Sequence, residues 1–218
     1  MQRLLDGVHR FRLEEFGKYQ AMFRRLSRRG QKPHTLFITC ADSRVLAELI
    51  TQSNPGDLFV IKNVGNIVPP SDGGGEFNST AAGIEFAVEI LGVSDIVVCG
   101  HSQCGAIDAL MANECQTNLK HLHNWVQLAA PVRDLINTNY EHLNDPEARI
   151  RAAEEENVLF AIERLHSYDC VQRKLAEGTL RLHAWFFKIA SGELFAYQPD
   201  QKQFVPITQV LSSPPGST

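Results

Sequence analysis

Two ligand-type side chains follow a short strand pattern in the middle of the chain. Residues 96–99 form an apolar run rich in β-branched residues, which predicts a buried strand, and His101 and Cys104 come soon after it. Residues three apart on a helical turn lie on one face, so this imidazole and this thiol can converge. Nitrogen and sulfur ligands at the carboxyl end of a buried strand indicate zinc, but a site needs at least one more ligand.

Cys40 is the candidate for the third ligand. It follows residues 35–39, a second run with the pattern of a buried strand. If the two strands are neighbours, Cys40, His101 and Cys104 can share one metal ion at the same edge of the sheet. Two cysteines and one histidine are a known catalytic zinc set, which leaves the fourth position for water or substrate.

Asp42 and Arg44 lie two and four residues beyond Cys40. A carboxylate held by an arginine fork is typical of the groups that support a metal-bound water. Each residue alone also has an ordinary structural interpretation, since a lone cysteine is usually a small buried hydrophobe. The co-occurrence of CxDxR and HxxC, each after a predicted strand, favours the metal site. Cys99 lies inside its predicted strand, where core packing is expected.

Predicted strands and helices alternate along the chain. The strand patterns fall at residues 35–39, 58–62, 96–99 and 180–189, with residues 194–197 as an antiparallel partner. The helix patterns fall at residues 2–29, 46–51, 79–91, 106–137 (interrupted near 115–118), 146–165 and 168–177. This order predicts an α/β fold: a mostly parallel β-sheet with helices on both faces, an antiparallel edge strand near the C-terminus and a long N-terminal helix.

Length and composition favour one domain over residues 1–218, with residues 1–29 as an N-terminal helical arm and residues 211–218 as a flexible tail. The apolar face of the arm predicts contact with a second subunit. Glu154, Glu155 and Glu156 form a charge run, which predicts a solvated helix face.

The net charge of −4 gives no reason to expect nucleic acid, and no apolar run is long enough to predict a membrane span. The charged N-terminus is unlike a secretory signal. The five cysteines are odd in number and lack a framework spacing, which favours a reducing compartment, with the cytoplasm as the default. For Cys115 and Cys170 we expect no role beyond packing.

Four motifs carry a family resemblance: CADSR at residues 40–44, GDLFV at 56–60, NVGN at 63–66 followed by Pro69, and GHSQCG at 100–105. Together they resemble the β-class carbonic anhydrases, especially the bacterial and cyanobacterial branch. The resemblance spans nearly the whole chain.

The resemblance implies one Zn²⁺ per chain on Cys40, His101 and Cys104, and a catalytic dyad of Asp42 and Arg44. The family's substrate pocket corresponds here to the following positions: Gln31, Phe59, Val64, Phe86 and the backbone of Gly105.

The implied activity is the reversible hydration of CO₂ to bicarbonate and a proton, by attack of zinc-bound hydroxide. A homodimer or a larger even-numbered homo-oligomer is implied, with Gln31 reaching the site from across the dimer interface. The carboxysome is the alternative to a cytoplasmic location. Two other functions remain open: a non-catalytic zinc-stabilised assembly protein of a CO₂-fixing compartment, and a thiol redox enzyme. Asp42 and Arg44 argue against the first, and the absence of a CxxC motif argues against the second.

Overall fold

The computed structural model describes residues 1–72, 77–112 and 118–211. Its sheet has six strands in the order β2-β1-β3-β4-β5-β6. The strands are β1 (Thr35–Cys40), β2 (Leu58–Asn63), β3 (Asp95–His101), β4 (Arg181–Lys188), β5 (Glu193–Gln198) and β6 (Gln203–Pro206). Strands β1 to β4 are parallel, and β5 and β6 are antiparallel to their neighbours. The predicted fold class is confirmed, except that β6, which the sequence did not predict, replaces β5 as the edge.

The described residues contain ten α-helices. They are α1 (Gln2–Arg10), α2 (Phe16–Arg29), α3 (Ala47–Thr51), α4 (Ser79–Glu85), α5 (Gly105–Met111), α6 (Lys120–Val126), α7 (Ala130–Asn139), α8 (Pro146–Leu165), α9 (Asp169–Ala176) and α10 (Ile207–Leu211). None of these helices combines the length and the apolar character that crossing a bilayer requires. Leu211 ends α10 rather than starting a tail; the rest of the predicted tail, and Cys115, lie outside the described residues.

The two faces of the sheet are covered unequally. Leu36 and Ile38 of β1 point into the large core cluster, to which α4, α8 and α9 contribute apolar side chains. Phe37 points to the opposite face, where it packs with Val97 of β3 and Ala47 of α3. Among the described residues, the five-residue α3 is the helix that contributes to this second cluster. Helices therefore lie on both faces as predicted, but one face has little cover from its own chain.

The N-terminal arm is helical from Gln2 to Arg29, with one π-helical turn at Phe11–Glu15. Gly30 ends it with a φ of +76°, a conformation that suits glycine. None of the residues of the arm is buried, and its apolar side chains include four that are exposed: Leu4, Leu5, Val8 and Leu13. The arm thus projects from the body of its own chain.

Helix α4 begins at Ser79, where the helix pattern over residues 79–91 also begins. The side chain of the preceding residue, Asn78, accepts hydrogen bonds from the amides of Thr80 and Ala81. Asn78 is therefore the N-cap. A π-helical turn continues the helix over Phe86–Leu91, and Gly92 ends it at a φ of +63°.

Candidate active site

Cys40 and His101 are the last residues of two adjacent parallel strands. Thr39 of β1 lies opposite Cys99 of β3, so the two strands end at the same edge of the sheet. Cys104 lies three residues after His101 and directly precedes α5. The expectation that two neighbouring strands deliver these side chains to one place agrees with the observed topology.

The side chains of Cys40, His101 and Cys104 converge. Their sulfur and nitrogen ligand atoms lie within 4.8 Å of one another, and all three residues are buried. Nδ1 of His101 lies 2.9 Å from the carbonyl oxygen of Ser102; because a carbonyl only accepts, Nδ1 carries the proton. Nε2 is then an acceptor, and it is buried without a hydrogen-bond partner among the described residues. An orphaned imidazole nitrogen beside two sulfurs fits a metal ion.

One of the two sulfurs is arranged to carry negative charge. The thiol of Cys104 donates a hydrogen bond that lowers the pKa of Cys40, and the same contact raises the pKa of Cys104. The amide of Gly65 also donates to Sγ of Cys40, at 3.4 Å. Gly65 has a φ of +80°, and a Cβ there would lie 3.1 Å from the Cβ of Ala106, so this position suits glycine. Thiolate and imidazole ligands together favour zinc over hard cations such as magnesium.

Asp42 and Arg44 form a bidentate ion pair beside this group. Nε and Nη2 of Arg44 donate to the two carboxylate oxygens of Asp42 at 3.0 and 2.8 Å, and the Arg44 amide donates at 2.9 Å. The guanidinium holds the pKa of Asp42 well below its usual range. Nη2 of Arg44 also donates to the carbonyl of Gln103, at 3.1 Å, so the arginine bridges the carboxylate and the turn between His101 and Cys104.

Three predicted pocket residues lie on neighbouring elements. The rings of Phe59, on β2, and Phe86 are 5.8 Å apart. Val64, one residue beyond β2, and Phe86 are each about two-fifths exposed. The indole of Trp125 on α6 donates to the carbonyl of Val64 at 2.7 Å, a contact that the sequence did not suggest. These apolar side chains are available to a ligand.

The other two predicted pocket residues behave differently. Gly105 is the first residue of α5, directly after Cys104. Gln31 is exposed and precedes β1, whose opposite end carries Cys40. A six-residue strand spans about 20 Å, so within one chain Gln31 lies near the far edge of the sheet. A role for Gln31 from across a dimer interface stays a prediction.

The prediction for Glu154 was wrong. The charge run Glu154–Glu156 suggested a solvated face, but Glu154 is 3% exposed and accepts a hydrogen bond from the Cys104 amide at 2.7 Å. Asn157, one turn later on α8, is also buried and donates to the carbonyl of Gly65 at 2.9 Å. Their i, i+3 spacing within an apolar helix stripe is the signal that could have indicated these residues. Cys99 is fully buried as expected, and burial raises its pKa to about 12.

Comparisons with known proteins agree with this geometry. The carbonic anhydrase family model matches residues 35–194. A carbonic anhydrase of Synechocystis sp. is 42% identical over 94% of this chain and 74% of its own length, and one of Pseudomonas aeruginosa is 40% identical over 96% and 93%.

Solved structures show the same similarity. The structure of the β-carbonic anhydrase CcaA superposes with a TM-score of 0.90 at 41% identity, covering 94% of this chain and 98% of the other. A chain from the crystal structures of two tetrameric β-carbonic anhydrases of Sordaria macrospora superposes with a TM-score of 0.80 at 29% identity, covering 89% of this chain and 95% of the other. The family model covers the Cys-His-Cys residues and strands β1 to β4, and this chain is a member of the β-class carbonic anhydrase family.

Proposed function

We propose that residues 1–218 form one catalytic domain that holds one Zn²⁺ through Cys40, His101 and Cys104 and reversibly hydrates CO₂ to bicarbonate and a proton. The observation that carries this proposal is the buried Nε2 of His101, which has no hydrogen-bond partner in the part of the chain that the structure describes and lies close to two cysteine sulfurs, with the Asp42–Arg44 ion pair beside them. When bound, zinc acts as a Lewis acid that lowers the pKa of a water molecule towards 7 and so makes a nucleophile available near neutral pH.

Asp42 directs the attacking oxygen. An ionised carboxylate has about four lone-pair positions, and three hydrogen bonds from Arg44 fill three of them among the described residues. The remaining position, on Oδ2, accepts a hydrogen bond from the attacking water and so aims its lone pair at the carbon of CO₂. Arg44 keeps the carboxylate ionised and fixes its plane, because a bidentate fork restrains both oxygens.

Phe59, Val64 and Phe86 provide apolar walls for CO₂, which has no net charge and no hydrogen-bond donor. These side chains also limit the number of water molecules near the nucleophile, which strengthens every electrostatic interaction of Asp42. The backbone of Gly105 and, from the partner subunit, Gln31 are proposed to contact the substrate oxygens. Bicarbonate then leaves as water returns, and the proton passes to solvent.

The N-terminal arm supports a homodimer or a larger even-numbered homo-oligomer. The arm has eight of the 21 Lys and Arg residues but three of the 25 Asp and Glu residues, so it carries +5 while the rest of the chain carries −9. An unburied apolar helix of this charge fits the acidic body of a second copy, one face of which has little cover of its own. The Sordaria macrospora proteins are described as tetrameric, which is consistent with this proposal.

The arm is tested by the double substitution Leu4→Glu and Val8→Glu. We expect the variant to shift to a smaller species in light scattering at micromolar concentration, because two charges replace exposed apolar contacts. An unchanged mass would contradict a role for the arm in assembly.

The catalytic proposal is tested by stopped-flow CO₂ hydration on purified protein with zinc quantified in the same sample. We expect one zinc per chain, loss of activity on chelation and recovery on readdition of zinc. Stoichiometric zinc without hydration would favour the non-catalytic assembly protein, and equal activity without metal would overturn the proposal.

A further inference from the structure

Helix α8 carries two buried polar side chains on the face that packs against the sheet. Glu154 and Asn157 are spaced i, i+3 and lie among apolar neighbours of the same face, including Ala153, Val158 and Ala161. A buried carboxylate and a buried amide are costly unless hydrogen bonds satisfy them, so their partners identify what they do.

Glu154 holds the turn that carries two of the proposed ligands. Its Oε1 accepts from the amide of Cys104 at 2.7 Å, and the amide of Gln103 faces the same carboxylate. Gln103 has a φ of +60°, in the left-handed region, so successive amides of this turn point towards one anion. The turn between His101 and Cys104 is thus held from two sides: Arg44 binds the Gln103 carbonyl, and Glu154 binds the amides.

Asn157 holds the loop that contacts the other sulfur. Its Nδ2 donates to the carbonyl of Gly65 at 2.9 Å, and the amide of Gly65 donates to Sγ of Cys40. Because the amide and the carbonyl belong to one residue, displacing the Gly65 carbonyl would also move the donor that faces this sulfur.

Close packing of α8 on β3 brings both side chains within reach. A Cβ added at Gly100 would lie 2.4 Å from Cγ2 of Val158, so glycine at this position permits the approach. Val158 directly follows Asn157 on α8, and Gly100 directly precedes His101 on β3. The helix is therefore packed directly against the strand end that delivers the histidine.

We propose that Glu154 and Asn157 are positioning residues of the metal centre, which set the places of the Cys104 and Cys40 sulfurs through the two loops. The inference rests on the proposed function, since it requires that the Cys-His-Cys group binds a metal. Partners of this kind typically change metal affinity by about 10- to 100-fold when they are removed.

The main test replaces Glu154 with glutamine. Glu154→Gln keeps the size of the side chain but leaves one carbonyl oxygen, where the carboxyl group has two oxygens, to accept from the amides of Gln103 and Cys104. We expect zinc affinity, measured by chelator competition, to fall at least about tenfold. In the Co(II)-substituted protein we expect the visible d–d bands to shift, because the geometry of the ligands changes. Glu155→Gln, one residue along the same helix, is the matched control and should leave both readouts at wild-type values.

A second variant, Asn157→Leu, tests the other loop with a side chain of similar shape that lacks the donor. We expect weaker zinc binding and a shifted thiolate-to-cobalt charge-transfer band, because Cys40 loses a fixed donor. If Glu154→Gln does not fold, Asn157→Leu decides the proposal alone. The melting temperature of each metal-free variant shows whether weaker metal binding comes from a loss of folded protein or from displaced ligands.

Wild-type affinity and wild-type cobalt spectra in the folded variants would overturn the inference, even if the melting temperature falls, since that result describes a purely structural role. Failure of the wild-type protein itself to bind stoichiometric zinc or cobalt would instead overturn the proposed function. The two failures are therefore distinguishable in one set of samples.

Discussion

Two aspartates at opposite ends of the parallel strands have nearly the same electrostatic setting. Asp42 lies just beyond the carboxyl end of β1, and Asp95 begins β3 at the amino-terminal edge. Each side chain is 17% exposed, each forms a bidentate pair with an arginine, and each has a pKa held well below its usual range, chiefly by the hydrogen bonds from that arginine. An ion pair and a depressed pKa therefore do not by themselves distinguish a catalytic carboxylate from a structural one.

The difference lies in the hydrogen bonds that remain to be made. Asp95 accepts two bonds from Arg181, one from Ser94 and one from His183, which fill all four lone-pair positions of its carboxylate. Asp42 accepts three bonds within the described residues, all from Arg44, and has one position left. The comparison indicates that an incompletely satisfied carboxylate near converging metal ligands is the better sign of a catalytic role.

The largest effect is expected from Asp42→Asn. The amide oxygen of asparagine is a weaker acceptor than a carboxylate for the hydrogen bond from the attacking water. The NH₂ group of the amide also faces the guanidinium of Arg44. We expect CO₂ hydration to fall by about 10²- to 10⁴-fold, the range typical of a positioned proton acceptor, while zinc stays bound. Stopped-flow hydration at saturating CO₂, with the zinc content measured, is the test.

Asp95→Asn is the matched control for that change, since it removes the same charge from the same kind of ion pair. Its activity per bound zinc should remain within about twofold of wild type, because the substitution lies at the opposite edge of the sheet. Full activity of Asp42→Asn, or an equal loss in both variants, would remove the distinction between the two carboxylates.

A smaller loss is expected from Arg44→Gln. The backbone amide of Arg44 still donates to Asp42, so the carboxylate keeps one restraint while its plane is no longer fixed by the fork. We expect a loss of about 10- to 100-fold in activity, because misorientation of a reacting group by about 1 Å has an effect of this size. Arg181→Gln is the control, and comparable activities for the two arginine variants would show that the Arg44 fork does not orient Asp42.

The parts of this site that could be predicted from sequence are local to strand ends. Cys40, Asp42 and Arg44 lie within five consecutive positions, and His101 and Cys104 lie within four, so the elements that deliver them can be recognised from short patterns. The parallel order of the sheet follows from the alternation of strands and helices. The edge strand β6 did not follow, because it has four residues and ends in proline, too few for a period to be read.

The burial of Glu154 was missed because the charge run alone does not show how α8 is rotated about its axis. Three consecutive glutamates indicate a solvated face, and which of them turns inward is decided by the contact between Val158 and Gly100, which are 58 residues apart in sequence. The N-cap at Asn78 is a similar case on a smaller scale, since three adjacent polar residues could each serve and backbone geometry decides among them.

A further distinction concerns stability rather than catalysis. Asp95→Asn removes the ionised acceptor of Arg181 and His183, and we expect the free energy of unfolding to fall by about 1–2 kcal/mol, a modest value because Arg181 is largely exposed and its charge is screened. Asp42→Asn should have a smaller effect on the metal-free protein. Urea unfolding of both metal-free variants is the measurement. A larger loss of unfolding free energy in Asp42→Asn would contradict this expectation, because Asp42 rather than Asp95 would then contribute more to stability.

The smallest expected effect is the disappearance of that stability difference in acid. The pKa of Asp95 in the folded chain lies below its value in the unfolded chain, which is about 3.9, so the ionised carboxylate stabilises the fold fully above about pH 5. This stabilisation is lost as the pH falls below about 4 towards the folded-state pKa, whereas Asp95→Asn has no carboxyl group to titrate at this position. We therefore expect the difference in unfolding free energy between wild type and Asp95→Asn, both metal-free, to be constant from pH 8 to 5 and to shrink at lower pH. Metal-free protein is required because acid also protonates the thiolate ligands and releases metal. A difference that stays constant down to pH 3 would mean that the contacts of Asp95 stabilise the sheet without its negative charge, and the likeness to Asp42 would then be geometric alone.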